Sequence, residues 1–385
     1  MTRTFATRRL RWMLPAGVAA AIGVASFTTS VASNAAAEPN LPSRTAAQLL
    51  ADLEQARPAG LSGTIVETTK LGLPSLPDIG GSGSDSDLSL TNLLTGAHTL
   101  RVWYAGQENQ RIALLGQLSE TDVIHHGTDV WTYSSTTRAV THSTIKAGAH
   151  ASDATTLTGG KVAGLTPQQA AEDALKAIDP TTAVEVDSTA RVAGRSTYQL
   201  VLKPKDTRSL IGSVRIAIDS KTSVPLRVQV FAKDATSPAI QVGFTDVSFN
   251  VPDSSVFEFV PPAGSTVTQG SPFNLDGATQ KLSPKNKAGV AKSPAEAAHG
   301  SGSTKLLGKG WTAVVQVKNG MGTASSSANG PSTMSILNDV ATPVKGGRLI
   351  TSTIMSVFIA DNGTIYAGPV SPAAIEQVAA TGQGL

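Results

Sequence analysis

The stretch VIHHGTDVWTYSS, residues 123–135, brings His125, His126 and Asp129 close together. Two imidazoles and a carboxylate are the groups of a metal site or a proton relay. Their spacing argues against both. Neighbouring residues on a strand point to opposite faces, so His125 and His126 cannot reach one ion from a regular strand. A zinc site takes three or four ligands, and no third is spaced to help. Two hairpin registers remain open. A His126-Gly127 loop is a type I′ turn with His126 simply a turn residue; a Gly127-Thr128 loop is type II′ and sets His126 opposite Asp129.

Other chemistry is scarcer still. The chain has no G-x-S-x-G elbow, Walker loop, G-x-G-x-x-G or H-E-x-x-H. Asp85 and Asp87 in GGSGSDSD resemble the start of a calcium loop, but the glycine at position six and the closing glutamate are missing. Glycosidase carboxylates need not be near in sequence, yet four tryptophans and 4% aromatics argue against a sugar cleft. The expectation is a protein that is not an enzyme, with no catalytic residues, no metal and no cofactor.

What must position any site is a mostly β framework. Of 385 residues, 40% are hydrophobic and 15% charged, with 36 Gly and 21 Pro, which suits short strands and turns. The first 37 residues hold four arginines and no acid; beyond them 27 basic residues face 28 acidic ones, a formal charge of −1. Such a balance leaves no footprint for nucleic acid. The basic start precedes the apolar run Met13–Phe27, 15 residues with Pro15 inside, short of the roughly 20 needed to span a bilayer. This reads as a signal peptide, residues 1–37, cleaved between Ala37 and Glu38, and the protein as exported to the cell envelope. An uncleaved N-terminal anchor is the alternative. Thr7-Arg8-Arg9 hints at twin-arginine export. With no cysteine, the exported chain is held by packing alone.

Residues 43–262 form the first block. Leu49, Leu50, Leu53 and Ala56 recur at helical spacing, with Ser43 as cap and Pro58 as stop. Alternating stretches follow: LSGTIVETT, HTLRVWYA, QRIALLGQL, TDVIHH, TDVWTYSS and RAVTHST. A second helix over TPQQAAEDALKAID, capped by Thr166, interrupts them. Strands resume as TAVEVD, STYQLVLKP, GSVRIAID, VPLRVQVFA, AIQVGFTDVSF and SVFEFVPP. Clean alternation indicates one buried and one wet face; two helices lie against the concave side of a curved antiparallel sheet. Residues 71–97 join two strands with far more chain than a hairpin needs. Leu71, Leu73, Leu76, Ile79, Leu93 and Leu94 make this stretch either a lid over an apolar opening or a loop with a short helix near SLTNLL.

Residues 263–310 read as a Ser/Gly/Pro/Lys-rich linker with six lysines against Asp276 and Glu296: a solvated spacer, or a segment drawn to an anionic membrane surface. Residues 311–385 form a small C-terminal α+β domain, with a helix near GPSTMSILNDVA, an Asn362-Gly363 hairpin turn and a closing helix capped by Ser371.

Taken in order, LSGTIVET, TLRVWYAGQENQRIALL, DVIHHGTDVWTYSS, YQLVLKP, VRIAID, VPLRVQVF and FEFVPPAG resemble the LolA/LolB/RseB superfamily over residues 43–264. Nearest are the LolA-like lipoprotein-sorting proteins and the MucB/RseB-type sigma-factor regulators. His126 stands where an acidic turn residue is common in that group. GTIYAGPVSPAAIEQVA is similar to the end of the regulators' C-terminal domain. The resemblance implies an open or half β-barrel of about 11 antiparallel strands with helices on the concave side. It implies a bound acyl chain and no catalytic residues. The arginine that lipoprotein carriers use beneath the lid is not carried over to any residue here.

The lining of such a cavity is read as Leu100, Val102, Tyr104, Ile112, Leu114, Leu200, Leu202, Val214, Ile216, Ile218, Leu226, Val228, Val230, Val242 and Phe244, with ordinary core packing as the alternative for each. Trp131 and Tyr133 share a face whose direction the turn register leaves open. At about 0.8 kcal/mol per CH₂, a 16-carbon chain needs on the order of 10 kcal/mol to leave a membrane. Two functions follow: a carrier of lipid or lipoprotein acyl chains, or a sensor that binds a membrane anti-sigma factor. A secreted hydrolase is the third and has no motif behind it.

Overall fold

Short apolar–polar alternations punctuated by glycine can bury one face only by pairing into sheets. A computed structural model describes residues 39–72, 96–116, 118–145, 166, 167, 171, 181–270, 304–318 and 341–385. The first element is helix α1 (Ala46–Gln55). Its cap is Thr45 rather than the expected Ser43. The Thr45 hydroxyl accepts from the Gln48 N–H and the Gln48 side chain accepts from the Thr45 N–H, a reciprocal box that Ser43 cannot make.

Strands β1 (Leu61–Thr69), β2 (Gly96–Tyr104), β3 (Asn109–Leu115), β4 (Glu120–His126), β5 (Asp129–Ser134) and β6 (Ala139–Thr144) form one antiparallel meander. β7 (Thr182–Val192), β8 (Arg195–Pro204), β9 (Ile211–Asp219), β10 (Pro225–Ala232) and β11 (Pro238–Ser248) form another. β1 pairs with β11 and fuses the two. Strand β12 (Thr266–Gln269) adds parallel to β6, giving the order β12-β6-β5-β4-β3-β2-β1-β11-β10-β9-β8-β7. This is an open sheet, with different strands at its two edges. Among the described residues the sheet has twelve strands, in keeping with the expected eleven or so, and the twelfth is parallel, which the all-antiparallel expectation did not include. Thr266–Gln269 therefore leaves the stretch read as a spacer, because its backbone extends the β6 edge.

Turn chemistry sets the registers. β7 and β8 are joined by Ala193-Gly194, both at positive φ (49° and 74°), the I′ geometry that matches strand twist. At the β9–β10 turn, Asp219 is 1% exposed. Its carboxylate accepts from Arg195 Nε at 2.6 Å and Nη2 at 2.9 Å, and from the Thr222 N–H and hydroxyl at 2.9 Å each.

A second, six-stranded sheet has the order β13-β14-β18-β17-β16-β15. Its strands are β13 (Thr304–Leu307), β14 (Val314–Val317), β15 (Thr342–Val344), β16 (Gly347–Thr351), β17 (Ser356–Ala360) and β18 (Ile365–Gly368). Helix α2 (Pro372–Thr381), capped by Ser371, packs on it through Ile375 and Val378. β13 likewise begins before the expected boundary at 311. The β17–β18 connection is longer than a two-residue turn: Ile359 opposes Ile365, the Ala360 N–H donates to the Thr364 carbonyl, and Gly363 (φ 77°) takes the left-handed position.

The two sheets touch. Trp311, on a 3-10 turn (Gly310–Thr312), belongs to the large sheet's apolar cluster and donates Nε1–H to Thr182 Oγ1 at 2.7 Å. The Leu210 N–H donates to the Pro369 carbonyl at 2.8 Å, and Ser209 bridges Val370.

Burial pushes the Asp219 carboxyl up, but its bonds from Arg195 and Thr222 outweigh that and leave it below the ordinary value of 3.8. A depressed carboxyl stabilises the fold above its unfolded pKa, and that gain is lost as pH falls through the folded value. Asp219→Ala is expected to cost about 3 kcal/mol at pH 7. In thermal melts, its gap from the parent protein should narrow as pH drops below 4.

Candidate functional site

The register places side chains in rows across the large sheet. One row runs Val186, Leu200, Ile216, Val228, Val242, Glu67 and His98 through β7, β8, β9, β10, β11, β1 and β2. The next runs Val184, Leu202, Val214, Val230, Ile240 and Thr69. On the other arm, Ile65, Leu100 and Leu114 are neighbours, as are Gly63, Val102 and Ile112. Gly63 has a packing reason: a Cβ there would stand 2.4 Å from the Asp246 carbonyl and 2.9 Å from the Phe244 ring.

Of the fifteen expected lining residues, twelve are buried in one apolar cluster: Leu100, Val102, Leu114, Leu200, Leu202, Val214, Ile216, Ile218, Leu226, Val228, Val242 and Phe244. Ile112 and Val230 pack against it half-buried. Tyr104 is half-buried and outside the cluster. The same cluster takes Leu49, Leu53 and Ala56 from α1 and its C-cap, Ala171, and Trp311 from the second sheet. Of the lid residues, Leu71 is 6% exposed, and its carbonyl accepts from the Thr353 N–H at 2.9 Å. Leu73, Leu76, Ile79, Leu93 and Leu94 lie outside the described residues, as do Ala37 and Glu38, the expected helix near GPSTMSILNDVA, and most of the expected second helix.

The His-rich hairpin resolves into the Gly127-Thr128 register. Gly127 has φ 60°, and His126 sits opposite Asp129. The two do not bond. His126 Nδ1 meets Asn109 Oδ1 at 2.7 Å, and His142 Nε2 meets Asp129 Oδ1 at 2.6 Å. His125 turns to the other face, 4% exposed, with Nε2 bonding the Gly127 carbonyl at 2.8 Å; burial lowers its pKa. Among the described residues, no group of three His, Asp or Glu side chains is arranged to hold a metal. Trp131 and Tyr133 lie away from the aliphatic rows. Trp131 stacks on His142 with ring centroids 4.0 Å apart, and both it and Tyr133 meet Phe259. A 3-10 turn (Ser254–Phe257) packs against β3 and β4, and Ile124, Val140 and Phe257 are buried.

A hollow of about 650 Å³ opens beside the start of α1, lined by Leu41, Pro42, Arg44, Gln48, Asp52, Tyr198 and Lys221 among others. It is partly polar, with Arg44 ion-paired to Asp52 and 5.8 Å from the Tyr198 ring centre. It lies off the aliphatic rows.

Glu67 is what the sequence reading missed. In LSGTIVETT its position looks like a wet one. The signal was parity: Ile65, Glu67 and Thr69 are alternate residues, and all three are buried. Glu67 is 8% exposed. Burial raises its pKa above the ordinary 4.5, against weaker opposing pulls from His98 and Thr69.

Residues 93–262 match the family model described as the MucB/RseB N-terminal domain. Among solved structures, the chain is similar to the MucA/MucB complex from Pseudomonas aeruginosa, at 13% identity over 87% of this chain and 96% of that one, TM-score 0.40. It is similar to MucB in complex with MucA(peri), at 14% over 87% and 97%, TM-score 0.40. It is also similar to a LolA superfamily protein from Nitrosomonas europaea, at 10% over 56% and 99%, TM-score 0.22. No curated protein matches the chain significantly.

A carboxyl whose folded pKa is raised adds stability below its unfolded pKa and loses it as pH rises through the folded value. Glu67→Gln is therefore expected to match the parent protein near pH 4. At pH 8 it should be more stable by on the order of 1 kcal/mol, since the amide has no charge to strand. Calorimetric melts across pH 4–8 check this; a gap independent of pH would contradict it.

Proposed function

We propose that the chain, whose residues 93–262 match the MucB/RseB N-terminal domain model, is a LolA/LolB/RseB-like, non-catalytic protein of the cell envelope that binds a lipid or lipoprotein acyl chain against the aliphatic face of its large sheet. The observation that carries this reading is the pair of rows from Leu200 to Val242 and from Leu202 to Ile240. Four strands contribute only aliphatic side chains there. A fatty chain gains about 0.8 kcal/mol for each CH₂ that leaves water.

The second reading is a MucB/RseB-like regulator that binds a membrane anti-sigma factor. It is favoured by the second sheet, which a simple carrier does not need and which is tied to the first through Trp311 and Leu71. In this reading, filling the acyl site and holding the partner are linked, and the chain acts as an envelope sensor. The proposed layout is a signal peptide at 1–37 cleaved at Ala37–Glu38, a binding domain over 43–262 and a C-terminal α+β domain, with a spacer between the two domains. Among the described residues, no helix is long and apolar enough to cross a membrane.

The test is mass spectrometry of lipid extracted from the purified protein, then titration with neutral acyl probes of 8 to 14 carbons. Affinity is expected to rise about fourfold per added CH₂. A pull-down with the extracytoplasmic part of an anti-sigma factor separates the two roles: lipid that displaces the partner supports the sensor, and lipid without a partner supports the carrier. No extracted lipid together with no length dependence overturns acyl binding.

A further inference from the structure

Glu67 stands where an aliphatic row should continue. Val242, its cross-strand neighbour, and Ile65, two residues before it, both belong to the apolar cluster. Its other cross-strand neighbour is His98. Thr69 Oγ1 lies 3.4 Å from Glu67 Oε1, a long contact, and Oε2 is buried without a hydrogen-bond partner among the described residues. Buried carboxyl oxygens are almost always satisfied, and leaving one without a donor destabilises the fold. A site meant only for packing would carry an aliphatic residue here, as β8 to β11 do in this row with Leu200, Ile216, Val228 and Val242.

We propose that Glu67 is the head-group anchor of the acyl-chain site: Oε2 accepts a hydrogen bond from an N–H or O–H at the head of the bound chain, as in an amine, amide or alcohol, and the site refuses chains that end in a carboxylate or phosphate. The head sits where β11, β1 and β2 meet, beside Thr69. The chain runs along Val242, Val228, Ile216 and Leu200. A donor head completes the open acceptor, whereas an anionic head sets acceptor against acceptor in a place with little water. Selectivity of this kind comes from what a buried polar group leaves unpaired when the wrong ligand enters. The proposal rests on the acyl-chain reading above and adds its chemical class of head.

The experiment is isothermal titration calorimetry of the purified full chain with 1-dodecanol, dodecylamine and dodecanoate, each below its aggregation limit. The parent protein is expected to bind the alcohol and the amine at least tenfold more tightly than the carboxylate. Glu67→Leu should shrink that ratio to threefold or less by weakening the alcohol and amine. Glu67→Gln, of the same shape and with an acceptor oxygen kept, should retain the alcohol and lose the advantage of the amine. Circular dichroism melts establish that both variants are folded, and the isosteric glutamine variant with the parent protein suffices if the leucine variant is not. Equal or tighter binding of dodecanoate by the parent protein overturns the anchor. So does a Glu67→Gln variant that keeps the full amine preference. In both cases chain binding itself remains, so the acyl-chain reading stands. Flat titrations with all three ligands overturn that reading and the anchor together.

Discussion

Among the described residues, the open twelve-stranded sheet has one apolar face and a single ten-residue helix, α1, packed on it. At about 4.8 Å per strand, such a sheet is roughly 50 Å wide if laid flat, whereas a ten-residue helix is about 15 Å long and 10 Å across. α1 can therefore screen two or three strands. The remaining rows need other cover, and one source is Trp311, carried by the second sheet into the same cluster as Leu49 and Leu200. The second sheet is thus part of how the first hides its apolar face. Trp311 also makes a polar contact there, since its N–H reaches Thr182, which satisfies a donor that would otherwise be stranded in a greasy setting.

A second contact between the sheets lies at the end of β1. Glu67 and Thr69 lie at the end of β1, and Leu71 follows at once. The Leu71 carbonyl is held by the Thr353 N–H from the turn between β16 and β17. The backbone that leaves the apolar face is therefore fixed by a residue of the other sheet. The link consists of one hydrogen bond of 2.9 Å at the end of a continuous strand.

How much of this was legible in the sequence depended on the range of the interaction. Period-two patterning gave Val214, Ile216 and Ile218 one shared face and Leu226, Val228 and Val230 another, because alternation is local and the cost of a slipped register is large. The seven short motifs likewise anticipated the family matched at residues 93–262. Errors came where two local choices were equally good or where the partner was distant. Ser43 and Thr45 are both good caps, and only the reciprocal bond with Gln48 decides between them. Thr266–Gln269 looked like spacer because nothing local says that it will lie parallel to β6. Asp129 was set opposite His126, as one of the two registers required, yet its partner is His142 on β6, the neighbour of β5 on the other side. Glu67 was missed because a carboxylate at an alternating position normally marks the wet face.

The same residue shows why affinity and selectivity in such a trough have different sources. Burying a chain of a dozen carbons yields on the order of 10 kcal/mol and is blind to what the chain carries at its end. One buried oxygen without a donor is worth about 1–3 kcal/mol. That is a minor share of the total, yet it is the part that differs between one head group and another. Since a 1.4 kcal/mol difference is a factor of ten in binding, a single carboxyl at the edge of an aliphatic row can sort ligands that the row itself cannot tell apart. An all-aliphatic face would bind any fatty chain. In the proposed site Glu67 is the point at which chain identity enters, and it lies two strand positions from Thr69 and four from the Leu71 carbonyl that ties β1 to the second sheet.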